Sequence, residues 1–170
     1  MNQKITSITA QKRPGRFNVF IDGNYAFSVS EDVLVKFRLS KGKELDAADL
    51  EEILKADNLS KALNKALDYL GYSLRTEKET RQKLAKEGLE VDIIESVIRK
   101  LTEMKLLNDS EYAKSYVRTM AKTTDKGPRV IANSLREKGI SPYDTEDALL
   151  EYPAEMQLKN ALKLAEKTVA

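Results

Sequence analysis

The side chains in this chain best placed to do chemistry are cationic, and they recur at helical spacing. Lys114, Arg118 and Lys122 stand four residues apart, which sets three positive charges along one stripe of a helix. Lys126, Arg129, Arg136 and Lys138 follow, so the stretch from Lys114 to Lys138 holds seven basic residues against Asp125 and Glu137, a net charge of +5. The whole chain carries only +2, with Lys+Arg 29 against Asp+Glu 27, so positive charge is concentrated there rather than abundant. A milder counterpart, Arg75, Lys78, Arg81, Lys83 and Lys86, precedes it. Two cationic stripes in register suit a phosphate backbone or an acidic protein groove, and the plainer alternative is a pair of solvated helix faces. A third cluster, Lys4, Lys12, Arg13 and Arg16, has no acid before Asp22 and reads equally well as a polar terminus. Tyr112 and Tyr116 share the apolar side of their helix with Ala113, Val117 and Met120, which assigns them to a core rather than to base stacking.

Catalytic chemistry has little to work with. The chain has no His and no Cys, which removes the commonest general base, thiol nucleophiles and most transition-metal sites. No GxSxG elbow, GxxxxGK(S/T) loop, GxGxxG turn or DxDxDG calcium loop is present. Asp and Glu abound, but nearly all stand beside Lys or Arg at helical spacing, the pattern of solvated ion pairs. The expectation is a protein without enzymatic activity, cofactor, metal or small-molecule substrate. Lack of cysteine also excludes a disulfide framework, and Met1 to Phe17 is polar and basic with no apolar run, so a cytoplasmic protein that does not enter membranes is expected.

Two kinds of element must position these charges. Phe17, Val19 and Ile21 alternate along one strand, and Tyr25, Phe27 and Val29 repeat the pattern on one face after Asp22-Gly23-Asn24, a tight hairpin in which Gly23 supplies positive φ. Phe20 breaks the alternation, and Ile5 and Ile8 before the Arg13-Pro14-Gly15 turn suggest a third strand. Helical segments Glu31 to Phe37 and Ala47 to Ala56 are expected to cover this meander, which is too small to stand alone. After Asn58 the period changes: Leu59, Ala62, Leu63, Ala66, Leu67 and Leu70 form one helical stripe. Thr76 with Glu79 is a capping box that opens a second helix ending at Gly88, and Val91, Ile94, Val97, Ile98 and Leu101 define a third.

The three-helix pattern is then repeated. Lys83-Leu84-Ala85-Lys86-Glu87-Gly88-Leu89 aligns with Ser134-Leu135-Arg136-Glu137-Lys138-Gly139-Ile140, with Gly88 and Gly139 51 residues apart. At the same offset Ala62 maps to Ala113, Ala66 to Val117, Thr76 to Gly127 and Val97 to Ala148, and Pro128 opens the matching helix. Leu158, Ala161, Leu162 and Ala165 restart the first-helix stripe, as if a third repeat were cut off. The predicted fold is mainly α: tandem three-helix repeats in a curved, elongated array, behind a small N-terminal antiparallel β-meander with helices. The expected divisions are 1–57 for the meander and its covering helices, 58–108 and 109–153 for the two repeats, and 154–170 for the first helix of an incomplete third.

Taken in order, Leu70-Gly-Tyr-Ser-Leu-Arg75-Thr-Glu77-Lys-Glu79-Thr-Arg81-Gln-Lys-Leu84, Leu106-Leu-Asn-Asp109-Ser-Glu-Tyr112-Ala113, Lys126-Gly-Pro128 and Leu135-Arg-Glu-Lys-Gly139-Ile140 resemble the RecX family over nearly the whole chain. The resemblance implies a bacterial, cytoplasmic negative modulator of RecA, active in recombination, DNA repair and the SOS response. Such proteins lie in the groove of the RecA–DNA filament, inhibit its recombinase, ATPase and coprotease activities, and in several cases bind DNA weakly. The family often has Arg where Ser73 stands and an acid where Ser134 stands, which leaves the second-repeat stripe the better contact. The rival reading is a stand-alone nucleic-acid-binding helical protein, although no helix gathers Arg, Asn and Gln into a base-reading edge.

Overall fold

A computed structural model describes residues 1–169. Two compact units divide it, Met1–Leu67 and a second starting at Asp68.

The first unit holds strands β1 (Gln3–Ala10), β2 (Arg16–Ile21), β3 (Asn24–Ser30) and β4 (Glu44–Leu45), helix α1 (Glu31–Lys36) and the larger part of helix α2 (Ala47–Tyr72). The sheet is antiparallel in the order β3-β2-β1-β4. Asp22 and Gly23 both adopt positive φ, 52° and 82°, the two-residue turn that matches strand twist. β4 went unforeseen because two residues are too few to show a period.

Register explains the broken alternation. Val19 pairs with Phe27 but Phe20 pairs with Tyr25, so β3 carries one extra residue at Ala26. Such a bulge turns the side chains beyond it to the other face. Tyr25 therefore does not share a face with Phe27 and Val29 as predicted; it is 59% exposed and meets Phe20 edge-on, their ring centroids 6.1 Å apart. A second bulge, between Ile5 and Ser7 on β1, lets Ile5 and Ile8, three apart, both reach the core. Its extra residue, Thr6, donates its hydroxyl to Phe20 O (3.2 Å) and accepts the Gly23 N–H (3.0 Å). The core joins Ile5, Val19, Ile21, Phe27 and Val29 to Val33, Leu39, Leu45 and Ile53.

α2 is one helix of 26 residues, not the two segments that the change of period suggested. No Gly or Pro interrupts Ala47 to Leu70, and Asp57, at the point of change, faces inward and is 2% exposed. It accepts from Arg16 Nη1 and Nη2 (2.9 and 3.1 Å) and from the Ser30 N–H (2.9 Å). The helix thus continues through a position where apolar periodicity is lost, with a paired anion in place of an apolar side chain.

In the second unit follow α3 (Glu77–Lys86), α4 (Val91–Glu103), α5 (Asp109–Thr123), α6 (Pro128–Glu137), α7 (Pro142–Leu149) and α8 (Ala154–Val169). Positions that the repeat equates share burial: Leu84 and Leu135, Val97 and Ala148, and Thr80 and Ile131 are all at most 1% exposed. Tandem three-helix repeats behind a small antiparallel sheet are therefore what the chain builds. The last stripe behaves differently. Leu158 and Leu162 on α8 are 65% and 56% exposed, and the residue that anchors this helix is Asn160, whose amide donates to Tyr152 Oη (2.9 Å) and Thr124 O (3.3 Å). No helix of the described residues is long and apolar enough to cross a membrane.

Candidate interaction surface

The basic residues sort by what already holds them. On α5, Lys114 Nζ lies 3.3 Å from Asp147 Oδ2, and Arg118 Nη1 lies 3.4 Å from Glu151 Oε2. The hydrogen bond to Asp147 pushes the Lys114 ammonium above its ordinary range. Arg81 on α3 is shared between Glu77 and Glu95, and Lys83 pairs with Glu87 at 3.0 Å. Arg75 lies over the Tyr69 ring, 4.5 Å from its centroid. Lys78 Nζ donates to Glu137 O (2.9 Å), and Lys138 Nζ to Glu79 Oε1 (3.1 Å). Arg16 of the N-terminal cluster is the structural partner of Asp57.

Lys122, Lys126 and Arg129 are exposed, and none has a carboxylate partner among the described residues; Lys86 on α3 and Lys4, Lys12 and Arg13 of the N-terminal cluster are equally exposed and unpaired, but only the first three stand together in the second repeat. They bracket the connection from α5 to α6, with Arg136 exposed further along α6 and 3.5 Å from Asn133 Oδ1. The one acid between them, Asp125, is held by Lys167 (2.9 Å) and Lys163 (3.5 Å) from α8. The hydrogen bond from Lys167 keeps its carboxyl below the usual carboxylate range, so it stays ionised, and the two α8 ammonium groups offset its negative charge. Sequence reasoning missed Lys163 and Lys167, yet the signal was present: Lys159, Lys163 and Lys167 repeat the spacing of Lys114, Arg118 and Lys122.

Tyr112 and Tyr116 are half-buried and stacked on one another, centroids 6.1 Å apart and 15° between planes, packed against the core of Ala113, Val117, Ile131 and Leu135. Lys138 lies 6.0 Å over the Tyr116 ring. These rings are committed to the fold, as their spacing predicted.

Lys138 and Lys78 act as ties between the repeats rather than as free charges. The capping box forms as expected, with Glu79 N donating to Thr76 Oγ1 (3.2 Å) and Thr76 N to Glu79 Oε2 (3.0 Å). The other Glu79 oxygen takes Lys138, so one carboxylate both caps the first repeat's α3 and grips the second repeat. Across the same seam the Glu77 N–H donates to Asp109 Oδ1 (2.9 Å). Burial pushes the Glu79 carboxyl up, but the Thr76 N–H, Lys138 and Arg75 outweigh it and hold it below its ordinary value. A carboxylate so depressed stabilises the fold above its unfolded-state pKa, and that stabilisation disappears as pH falls through the folded-state value. Glu79→Gln keeps an acceptor for the Thr76 N–H and removes only the charge. It is expected to cost about 1 kcal/mol near neutrality, the gap from the parent closing in acid melts. A gap that persisted at acid pH would mean the Lys138 contact contributes nothing.

Comparison with known proteins supplies the lineage of this arrangement. Residues 3–46 match the family model of the regulatory protein RecX N-terminal domain, 62–101 that of the RecX first three-helix domain, and 108–149 that of the second. Regulatory protein RecX of Levilactobacillus brevis is 51% identical over 163 residues, covering 96% of this chain and 61% of that protein. The Listeria innocua protein of the same name is 46% identical over 165 residues, with the same coverage. The chain therefore spans about three fifths of the length of these relatives. A crystal structure of regulatory protein RecX superposes with a TM-score of 0.90 at 46% identity, covering 97% of this chain and 81% of that one. RecX from Lactobacillus salivarius gives 0.62 at 48% identity, covering 66% and 73%. Three RecX domains matched in chain order, on a backbone shared with a solved relative, establish that this chain belongs to the RecX family of regulatory proteins.

Proposed function

We propose that the chain is a negative regulator of the RecA recombinase, binding in the groove of the RecA–DNA filament and restraining its recombinase, ATPase and coprotease activities. Membership of a regulatory family supports the regulatory role, and one observation carries the mode of contact. Lys122, Lys126 and Arg129 form an exposed cationic run without carboxylate partners among the described residues, beside an Asp125 already neutralised from α8. Such a run engages acidic protein surfaces or phosphates along a groove, and a helical array bridging neighbouring RecA protomers opposes the movements of strand exchange. Lys114, Arg118, Arg136, Arg75 and Arg81 contribute at the margins, where contact requires exchange of an intramolecular partner for most of them.

RecA ATPase and strand exchange on single-stranded DNA, titrated with this chain, test the reading alongside its binding to DNA alone. Inhibition below stoichiometric ratios with only weak DNA affinity is expected. Reversing Lys122, Lys126 and Arg129 together to Glu is expected to weaken filament binding by at least about tenfold and to flatten its salt dependence, with helicity unchanged. Tight binding to DNA alone without inhibition would assign the chain to the nucleic-acid-binding class instead, where the same cations contact phosphate.

A further inference from the structure

A cleft of about 310 Å³ opens where the end of α2 and the α4–α5 connection meet α5, away from the Lys122–Arg129 run. That volume lies at the small end of ligand pockets, enough for one large side chain and its neighbours. Leu70, Leu74 and Leu106 give it an aliphatic lining, and Leu74 and Leu106 are 68% and 49% exposed. Arg75, Lys105 and Arg118 line it too, against the single carboxylate of Glu111. Two of its members are held in place by local structure. Lys105 sits at φ 58°, in the reversal that ends α4, with Leu106 N donating to Leu101 O (3.0 Å). The Arg75 guanidinium carbon lies 4.5 Å from the Tyr69 ring centroid, and its Nε–H is buried without an acceptor among the described residues.

Aliphatic surface beside three cations selects for an apolar side chain flanked by carboxylates. A planar guanidinium takes a carboxylate through paired hydrogen bonds, and the Arg118–Glu151 pair is exposed enough to exchange for an incoming acid. Nucleic acid fits less well. Bases bind single-strand grooves by stacking, and the one ring in the lining, Tyr112, is stacked on Tyr116. We propose that this cleft docks an acidic peptide segment of a partner protein, seating one large apolar side chain against Leu70, Leu74 and Leu106 with carboxylates on Arg75, Lys105 and Arg118. The inference goes beyond the filament reading and does not depend on RecA being that partner.

Fluorescence anisotropy on the 170-residue chain tests it. The probes are a labelled peptide with one phenylalanine between two runs of glutamate, the same peptide with serine at its centre, and labelled oligothymidylate. The phenylalanine peptide is expected to bind about tenfold more tightly than the serine one, the worth of burying one large apolar side chain. Leu74→Ser combined with Lys105→Glu changes two exposed side chains, so the fold is retained, as circular dichroism will verify. That double variant is expected to lose the phenylalanine peptide by about tenfold or more. Absence of peptide binding, equal affinity for the two peptides, or affinity unmoved by the double variant would overturn the proposal. Oligothymidylate binding that the double variant abolishes, with no binding of peptide, would overturn it in favour of a nucleic-acid cleft.

Discussion

Asp57→Ala is expected to cost the N-terminal unit about 3–5 kcal/mol of unfolding free energy, because it leaves a buried guanidinium without its anion. The side chains of Asp57 and Arg16 are 3% and 17% exposed, and the carboxylate takes both Arg16 nitrogens, the Ser30 N–H and, at 3.3 Å, the Lys61 ammonium. Ser30 is the N-cap of α1, where its hydroxyl accepts from Val33 N and from the Ser60 hydroxyl. Losing Asp57 thus frees the cation, the start of α1 and the link from α2 to the sheet at once. Urea unfolding followed by circular dichroism measures the loss. Arg16→Met with Asp57→Leu should recover part of it, since a matched apolar pair removes both desolvated charges, while the Ser30 N–H still lacks its acceptor, a cost of about 1–3 kcal/mol. An Asp57→Ala cost under about 1 kcal/mol would show that the pair is solvated in solution and behaves as a surface contact.

The same residue marks a limit of what could be read in advance. Apolar spacing located three of the four strands, the α1 segment, α4 and α5, because each buries a face with its own period, and the internal repeat extended that reading to α6 and α7. It placed the hairpin turn at Gly23 and the capping box at Thr76 because those residue types satisfy local backbone requirements. It failed where a polar group does the work of an apolar one. Asp57 interrupts the stripe of α2 without interrupting the helix, and Asn160, not Leu158, faces inward on α8. It failed also at Ala26 and Thr6, where one extra residue reverses the faces of a strand while leaving the composition ordinary. For the basic surface, helical spacing found the charges but not their partners. Asp147 and Glu151 lie 33 residues beyond Lys114 and Arg118, and only the packing of α5 on α7 brings them together.

Equivalent glycines in the two repeats offer a way to measure the seam between them. Gly88 and Gly139 each end the middle helix of a repeat at positive φ, 79° and 84°. Alanine at either site must adopt a left-handed conformation, a strain of about 1–2 kcal/mol. At Gly88 that is the whole effect, for no atom lies within 4 Å of where the added methyl would stand. At Gly139 the methyl would meet Lys78 Cβ at 2.7 Å and Cδ at 2.8 Å. Lys78 cannot swing away by its far end alone, since the nearest atom is bound to its backbone, so the two repeats must separate slightly. Overpacking of this kind adds about 1–3 kcal/mol, and the separation strains the Lys78–Glu137 and Lys138–Glu79 contacts as well. Gly139→Ala is therefore expected to destabilise the second unit by about 2–5 kcal/mol, and Gly88→Ala by about 1–2 kcal/mol. Lys78→Gly removes the clash, though it also deletes one tie and adds a glycine to α3; measured on the Lys78→Gly background, Gly139→Ala should therefore cost no more than Gly88→Ala does. Equal losses from the two single variants would mean that the repeats do not touch at this point in solution, and that the ties through Lys78 and Lys138 are too weak to hold them together.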